Sequence, residues 1–238
     1  MLRTKLKTGV SFLIRPSSDV VADPVTDRWR KLTGTLPSSS RLLAVSKGHP
    51  PAAVRKIAAL GQTAFGESRL QEALPKQQAL LDLPLQWHFI GRLQSNKVRG
   101  VVRAFSVIHS VDSWSLADRL SRICEEERRC PEVYLQVKFR DDPSKVGWNT
   151  AELLDRWPWL CELPGIRIRG LMTMAPQGLL MPERLELFQS CAALADQLAL
   201  PERSMGMSGD WPEAVSAGST WLRLGSALFG PRPAMAAG

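Results

Sequence analysis

The sequence predicts an α/β fold, a single-domain (β/α)8 TIM barrel, and three observations lead there. Short apolar, β-branched runs recur along the 238 residues, each followed by a segment with apolar residues at helical spacing. Eight such pairs are legible, and repeated βα units imply a parallel sheet with right-handed crossovers. An open doubly wound sheet alternates in the same way. No G-x-G-x-x-G follows the first strand, however, which removes the dinucleotide fingerprint of that competitor.

The elements follow in order. A helix over residues 20–40, containing Asp27, Arg28, Trp29 and Leu32, precedes the barrel. LLAVSK (42–47) is the first strand. Pro50-Pro51 opens the next helix, since proline fits a first helical turn; Val54, Ile57 and Ala58 give it an apolar face and Gly61 stops it. TAFGES (63–68) is the second strand. Its helix carries Leu70, Ala73 and Leu74 on one face, and Pro75 bends or restarts it. WHFIG (87–91) leads to a helix with Val98, Val101, Val102 and Phe105. SVIHSV (106–111) leads to one with Leu116, Leu120 and Ile123. VYLQVKF (133–139) is the fifth strand, and Asn149 caps the helix AELLDRW. IRIRGLMTM (166–174) is the sixth, followed by a helix that Pro182 opens. SMGMS (204–208) is the seventh, with Asp210 as N-cap of the short helix after it. TWLRLG (220–225) is the eighth.

Composition narrows the functional classes. No stretch approaches the ~20 apolar residues of a membrane helix. The formal net charge of +8 favours anionic ligands, phosphate among them. The basic residues are scattered and no zinc-finger or RNP motif accompanies them, so nucleic acid is not the expected partner. Cys124, Cys130, Cys161 and Cys191 form no C-x-x-C, and no histidine stands at ligand spacing. This reads as reduced thiols in a cytoplasmic protein without a metal site. The basic stretch 1–18 has too short an apolar run for a signal peptide. It is expected to be a disordered extension and 231–238 a flexible tail, which leaves 19–230 for the barrel.

A barrel of this kind does its chemistry at the C-terminal ends of its strands. Side chains alternate along a strand, so Leu43, Val45 and Lys47 share a face. If Leu43 and Val45 point inward, Lys47 points into the mouth. Burial there disfavours the ammonium form, and a neutral amine is what Schiff-base formation with an aldehyde needs. The loops after strands seven and eight often hold phosphate in such barrels. MGMSGDWPEA puts Ser208, Gly209 and free amides at the start of a short helix. On the eighth strand Arg223 offers a fork of donors, and Gly225 allows close backbone approach. An aldehyde-reactive lysine beside a phosphate cradle points to pyridoxal 5′-phosphate (PLP). Singly these signals are ordinary. A strand-end lysine usually meets solvent, His88 reads first as a satisfied core histidine, Met172 and Met207 as core fillers, and His49 as a surface residue in a Pro-rich turn.

Together the motifs resemble a known family. LLAVSK, FGESRLQEA, WHFIGRLQSNK and SMGMSGDWPEAVSAGSTWLRLGSALFG are similar to the pyridoxal-phosphate homeostasis proteins, the YggS/PROSC family, from about residue 20 to about residue 230. The resemblance implies an alanine-racemase-like barrel of the fold-type III PLP class, with Lys47 as the Schiff-base lysine. It implies that Ser208, Arg223 and Gly225, with Gly209 and Ser226 beside them, anchor phosphate and ring. Met172 and Met207 would line the pocket, and His88 and Asn96 would stand near the mouth. Lys145 matches a lysine of a Ser-Lys-x-Gly loop. Ser68 stands where the family commonly has asparagine, which puts one cofactor or loop contact in doubt.

The implied role is intracellular PLP homeostasis, with PLP itself and PLP-dependent apoenzymes or regulators as partners and a monomer or weak dimer as the working form. Racemases of this class need a second acid/base, typically a tyrosine. The single tyrosine here, Tyr134, lies near the start of the fifth strand. The expectation is therefore a carrier or regulator rather than a catalyst. The alternative is an enzyme, a weak racemase or another PLP-dependent activity, with His88 or a substrate-borne group as the missing base. Arg223→Ala is expected to weaken PLP retention more than it alters folding.

Overall fold

A computed structural model of the chain describes residues 23–140 and 146–231. Its strands are β1 (Arg41–Val45), β2 (Ala64–Glu67), β3 (Gln86–Phe89), β4 (Val107–Val111), β5 (Glu132–Gln136), β6 (Arg167–Met172), β7 (Glu202–Ser204) and β8 (Trp221–Leu224). They pair in parallel and in chain order, and β8 closes on β1 with Leu43 opposite Arg223 and Ala44 opposite Leu224. The helices after the strands are α2 (Pro51–Ala58), α3 (Leu70–Gln78), α4 (Val98–Ala104), α5 (Trp114–Glu126), α6 (Thr150–Cys161), α7 (Met181–Gln197), α8 (Trp211–Ser216) and α9 (Ser226–Phe229). The expected leading helix is α1 (Pro24–Thr35), capped by the Asp23 side chain. Its Arg28 donates to the carbonyls of Leu228 (2.7 Å) and Phe229 (3.0 Å), which ties the start of the barrel to its end.

Period-two alternation builds two cores. Leu42, Ala44, Phe65, Ile108 and Leu135 face outward against the helices, with Ile57, Leu120, Leu153 and Phe188 across from them. Leu43, Ala64, Val107, Tyr134, Met172 and Trp221 face inward. The interior is unusually polar below them. Glu202 accepts from Arg41 (2.6 Å), Trp221 Nε1 (2.8 Å), Arg169 (3.1 Å) and the Tyr134 hydroxyl.

Several expected boundaries move. The first strand ends at Val45, so Lys47 stands in the turn beyond it. The seventh strand is Glu202–Ser204 rather than 204–208, because Gly206 adopts φ +90° and breaks the extension. Asn149 caps α6 as expected, its side chain accepting from the Glu152 amide at 2.7 Å. Asp210 occupies the N-cap position of α8 without capping it; its carboxylate accepts instead from the Met207 amide at 2.6 Å. Pro75 lies inside a continuous α3. The expected extension over 1–18, residues 232–238 of the tail and Lys145 lie outside the described residues. Among the described residues no helix is long and apolar enough to cross a membrane, and no cluster of His, Cys, Asp and Glu could hold a metal ion.

Candidate functional site

The turn after β1 is tightly bound on both flanks of Lys47. The Ser46 hydroxyl donates to Glu67 Oε1 (2.6 Å), and the Ser46 carbonyl accepts from Lys76 Nζ (2.9 Å). The Gly48 amide donates to Glu72 Oε1. Gly48 takes φ +77°, a conformation that glycine adopts without a Cβ penalty. His49 folds back, its amide on the Ser46 carbonyl (3.0 Å), and its ring stacks on Phe229 with centroids 4.7 Å apart. The surface placement expected for His49 is therefore corrected: the residue is buried, because the Pro-Pro start of α2 turns it inward onto α9.

Strand pairing brings two further turns alongside. The turn Met207–Asp210 follows β7, and Gly225–Ser226 follows β8. Ser208 Oγ accepts from the Ala227 amide (3.1 Å), which joins them. The backbone amides of Ser208, Gly209 and Ser226 meet no acceptor among the described residues. A Cβ on Gly209 would meet nothing within 4 Å, so that face is open. A Cβ on Gly225 would stand 3.4 Å from the Val45 carbonyl oxygen, which shows how closely the ends of β8 and β1 approach. The set consists of N–H and O–H donors, because the nearby Asp210 carboxylate is already turned onto Met207 N. Such a set suits a phosphate or carboxylate.

Arg223 lies beneath these turns, 5% exposed. It donates to the Ser204 carbonyl (2.5 Å), Ser204 Oγ (2.9 Å) and the Thr173 carbonyl (2.8 Å). Burial lowers its guanidinium to about 10, which leaves it charged at neutral pH. Ser204 Oγ also meets His109 Nδ1 (2.8 Å), and His109 Nε2 meets His88 Nδ1 (2.9 Å). Ser204 Oγ accepts from Arg223 and keeps both a second lone pair and its own proton, so the bonds from Ser204 through His109 to His88 form one chain whose direction follows the histidine tautomers. His88 Nε2 is buried and has no hydrogen-bond partner, and the ring stands edge-on to Trp221. Burial, helped by Arg41, pushes His88 down to about 3, and burial also keeps His109 well below the ordinary histidine range.

The chain matches the alanine racemase N-terminal domain family over residues 21–233. It is 46% identical over 211 residues to the pyridoxal phosphate homeostasis protein of Synechocystis sp., covering 86% of this chain and 97% of the relative. The corresponding protein of Pseudomonas aeruginosa is 43% identical, covering 84% and 87%. The chain belongs to the pyridoxal phosphate homeostasis protein family. PipY of Synechococcus elongatus, solved with PLP bound, superposes on this family member with a TM-score of 0.83 at 49% identity, covering 87% of this chain and 100% of PipY. An alanine racemase of Clostridium difficile superposes with a TM-score of 0.70 at 13% identity, over 89% of this chain and 56% of that one, a likeness of fold.

The donor set described above fits the phosphorylated aldehyde that PipY holds. Of the residues expected from the family resemblance, Ser208, Gly209, Gly225, Ser226 and Arg223 converge on the ends of β7 and β8, and Lys47 stands on the neighbouring end of β1. Met207 is half-buried in the same turn. Met172 faces the barrel interior and is fully buried. Half-buried Ser68 follows β2 and packs tightly on the next strand's turn: a Cβ on Gly91 would come within 2.0 Å of the Ser68 carbonyl oxygen. Asn96 is exposed in a single 3-10 turn, Ser95–Lys97. His88 does not stand at the mouth. It is 0% exposed, inside the barrel between Trp221 and His109, because its parity on β3 is inward. The residues that sequence reasoning missed are Ser204 under Arg223 and Glu72 and Lys76 beside Lys47; Glu67 and His109 are legible as residues at the ends of the second and fourth strands, without the supporting roles the structure gives them. The one available signal was Glu72 and Lys76 at i,i+4 with glutamate first, a common helix-surface pair.

Proposed function

We propose that this chain binds PLP at the open end of its barrel, attached through Lys47, and serves PLP homeostasis in the cytoplasm as a carrier or regulator rather than a catalyst. The observation that carries the reading is the closure of β8 on β1. That closure sets the lysine-bearing turn against two turns whose amides have no other acceptor. The resemblance to PipY, a relative solved with PLP, supports it.

When bound, PLP supplies an aldehyde carbon that condenses reversibly with an amine, and a phosphate dianion. In this reading the amides of Ser208, Gly209 and Ser226 hold the phosphate. The Ser208 hydroxyl accepts from Ala227 N and so keeps its own proton to donate. Gly225 removes any side chain from the approach. Arg223 would contribute a fixed positive charge to the site, its guanidinium held by three hydrogen bonds to Ser204 and Thr173. Lys47 supplies the amine. Met207 and Ser68 form the walls of the mouth, and Met172 fills the interior under it. The partners of the finer reading are PLP-dependent apoenzymes or regulators that receive the cofactor.

The burial of His88 and the engagement of Tyr134 favour a carrier over a racemase that uses either side chain as its base, and a substrate-borne base is untouched by them. His88 is sealed inside the barrel and held neutral by burial. Tyr134 is engaged by Glu202, and burial followed by that contact pushes its phenol upward. The test is spectroscopic. Full-length protein titrated with PLP should develop a bound absorption band to the red of free PLP, and Lys47→Ala should lack it. The same band in Lys47→Ala would remove Lys47 from the site.

A further inference from the structure

We propose that Glu67, Glu72 and Lys76 are positioning residues for Lys47: a clamp, supplied by the second βα unit, that fixes the turn carrying the lysine. The inference rests on the reading of Lys47 as the attachment residue and extends it to side chains outside the donor cradle.

The clamp grips the turn on both sides of Lys47. Ahead of it, Glu67 takes the Ser46 hydroxyl proton and Lys76 holds the Ser46 carbonyl. Behind it, Glu72 takes the Gly48 amide. Lys76 ties the two carboxylates together, with Nζ 2.5 Å from Glu67 Oε1 and 3.2 Å from Glu72 Oε1. With the Ser46 carbonyl, these contacts occupy all three N–H groups of the ammonium. The construction follows from register. Val45 pairs with Gly66, so Glu67 emerges beside Ser46, and Glu72 and Lys76 lie one turn apart on α3.

Packing alone does not account for it. Glu67 is 0% exposed and Lys76 4%. Desolvating such a pair opposes much of its attraction, and apolar residues of similar volume often serve stability as well or better. An apolar pair would not supply directional bonds to Ser46 and Gly48. Burial raises the Glu67 carboxyl, with Lys76 and Ser46 working against it. At Glu72 burial also works upward, but the Gly48 amide and Lys76 outweigh it and hold the carboxyl below its usual range. Glu72 is thus a charged acceptor facing the glycine that turns the chain. An amine displaced by about 1 Å from its reacting geometry can lose on the order of a hundredfold in rate.

Glu72 stands at the rim of the clamp, so its replacement spares the buried pair. In full-length, cofactor-free Glu72→Ala, the Gly48 amide should exchange with deuterium about tenfold faster than in wild type, the loss expected for one charge-assisted hydrogen bond. On mixing with PLP, borohydride-trappable attachment at Lys47 should slow by a similar factor, with the urea midpoint lowered only by the loss of that one bond. Glu72→Gln keeps an oxygen for Gly48 and should recover most of both rates. Lys76→Met, which frees both carboxylates, should slow attachment further. Wild-type Gly48 exchange and wild-type attachment in Glu72→Ala would overturn the clamp, as would a slowing that Glu72→Gln shares in full. Gly48 exchange is read without cofactor, so it reports on the clamp even if Lys47→Ala retains PLP and the attachment reading fails.

Discussion

At the scale of single residues, Arg223 changes most between sequence and structure. The sequence marks it as a donor at the end of the eighth strand, which suggests that its loss would touch PLP more than folding. The structure gives it two buried carbonyls and a serine hydroxyl to satisfy. Arg223→Ala deprives the buried Thr173 carbonyl of its guanidinium donor, at about 1–3 kcal/mol for a buried group without its partner, while the Ser204 carbonyl keeps the Thr173 amide and Ser204 Oγ keeps His109. We therefore expect Arg223→Ala to lower unfolding free energy by about 1–3 kcal/mol in urea as well as weakening PLP retention. An unchanged urea midpoint would show that water replaces the guanidinium and that the original expectation was sound. The place of Lys47 just past the end of the first strand was legible from the apolar run and the glycine after it, which are local features, although the parity expected to carry it stops with β1 at Val45. The supports of both residues were not. Glu67 and His109 could be placed at strand ends, but their bonds, like Ser204 and Lys76 themselves, come from other strands and helices, and no spacing in one segment signals a bond formed across the barrel.

At the scale of elements, alternation identified each of the eight strands, while the ends were set by turns that hydropathy does not encode. The seventh strand is the clearest case. SMGMS reads as a continuation of an extended run, yet Gly206 takes φ +90° and lets the chain break toward Ser208. A Cβ there would stand 2.6 Å from the Ala214 Cβ and 2.9 Å from Leu222 Cδ2. Gly206→Ala combines a disfavoured backbone with overpacking against α8 and β8. The expected loss is about 2–4 kcal/mol in urea unfolding, with weaker PLP retention as the Ser208–Asp210 turn shifts. A loss below about 0.5 kcal/mol, within the usual range of surface substitutions, would mean that α8 yields freely. Asp210 illustrates the same limit. An aspartate before a proline-containing first turn reads as a cap, but the carboxylate finds the Met207 amide first and shapes the turn instead of the helix.

At the scale of the whole molecule, the barrel interior couples stability to pH. His88 and His109 are neutral in the fold, with pKa values below the ordinary 6.5, and both would take up protons on unfolding in mild acid. A folded pKa below the unfolded one gives stability that is fully present above pH about 6.5 and is lost as pH falls toward the folded value. For His88 that window extends down to about 3. Each such group contributes a slope of about 1.4 kcal/mol per pH unit within its window. Between pH about 6 and about 4, His88→Asn should lose stability less steeply than wild type by about that amount. Parallel stability curves would mean that His88 is protonated in the fold. Closure of the barrel is also what joins the two halves of the candidate site, because β1 and β8 are distant in sequence and adjacent only once the ring is complete. The most direct test of the central claim is therefore covalent. Full-length protein loaded with PLP, reduced with borohydride and digested should carry one pyridoxyl group per chain on the peptide containing Lys47. Labelling spread over other lysines, or undiminished labelling in Lys47→Ala, would contradict it.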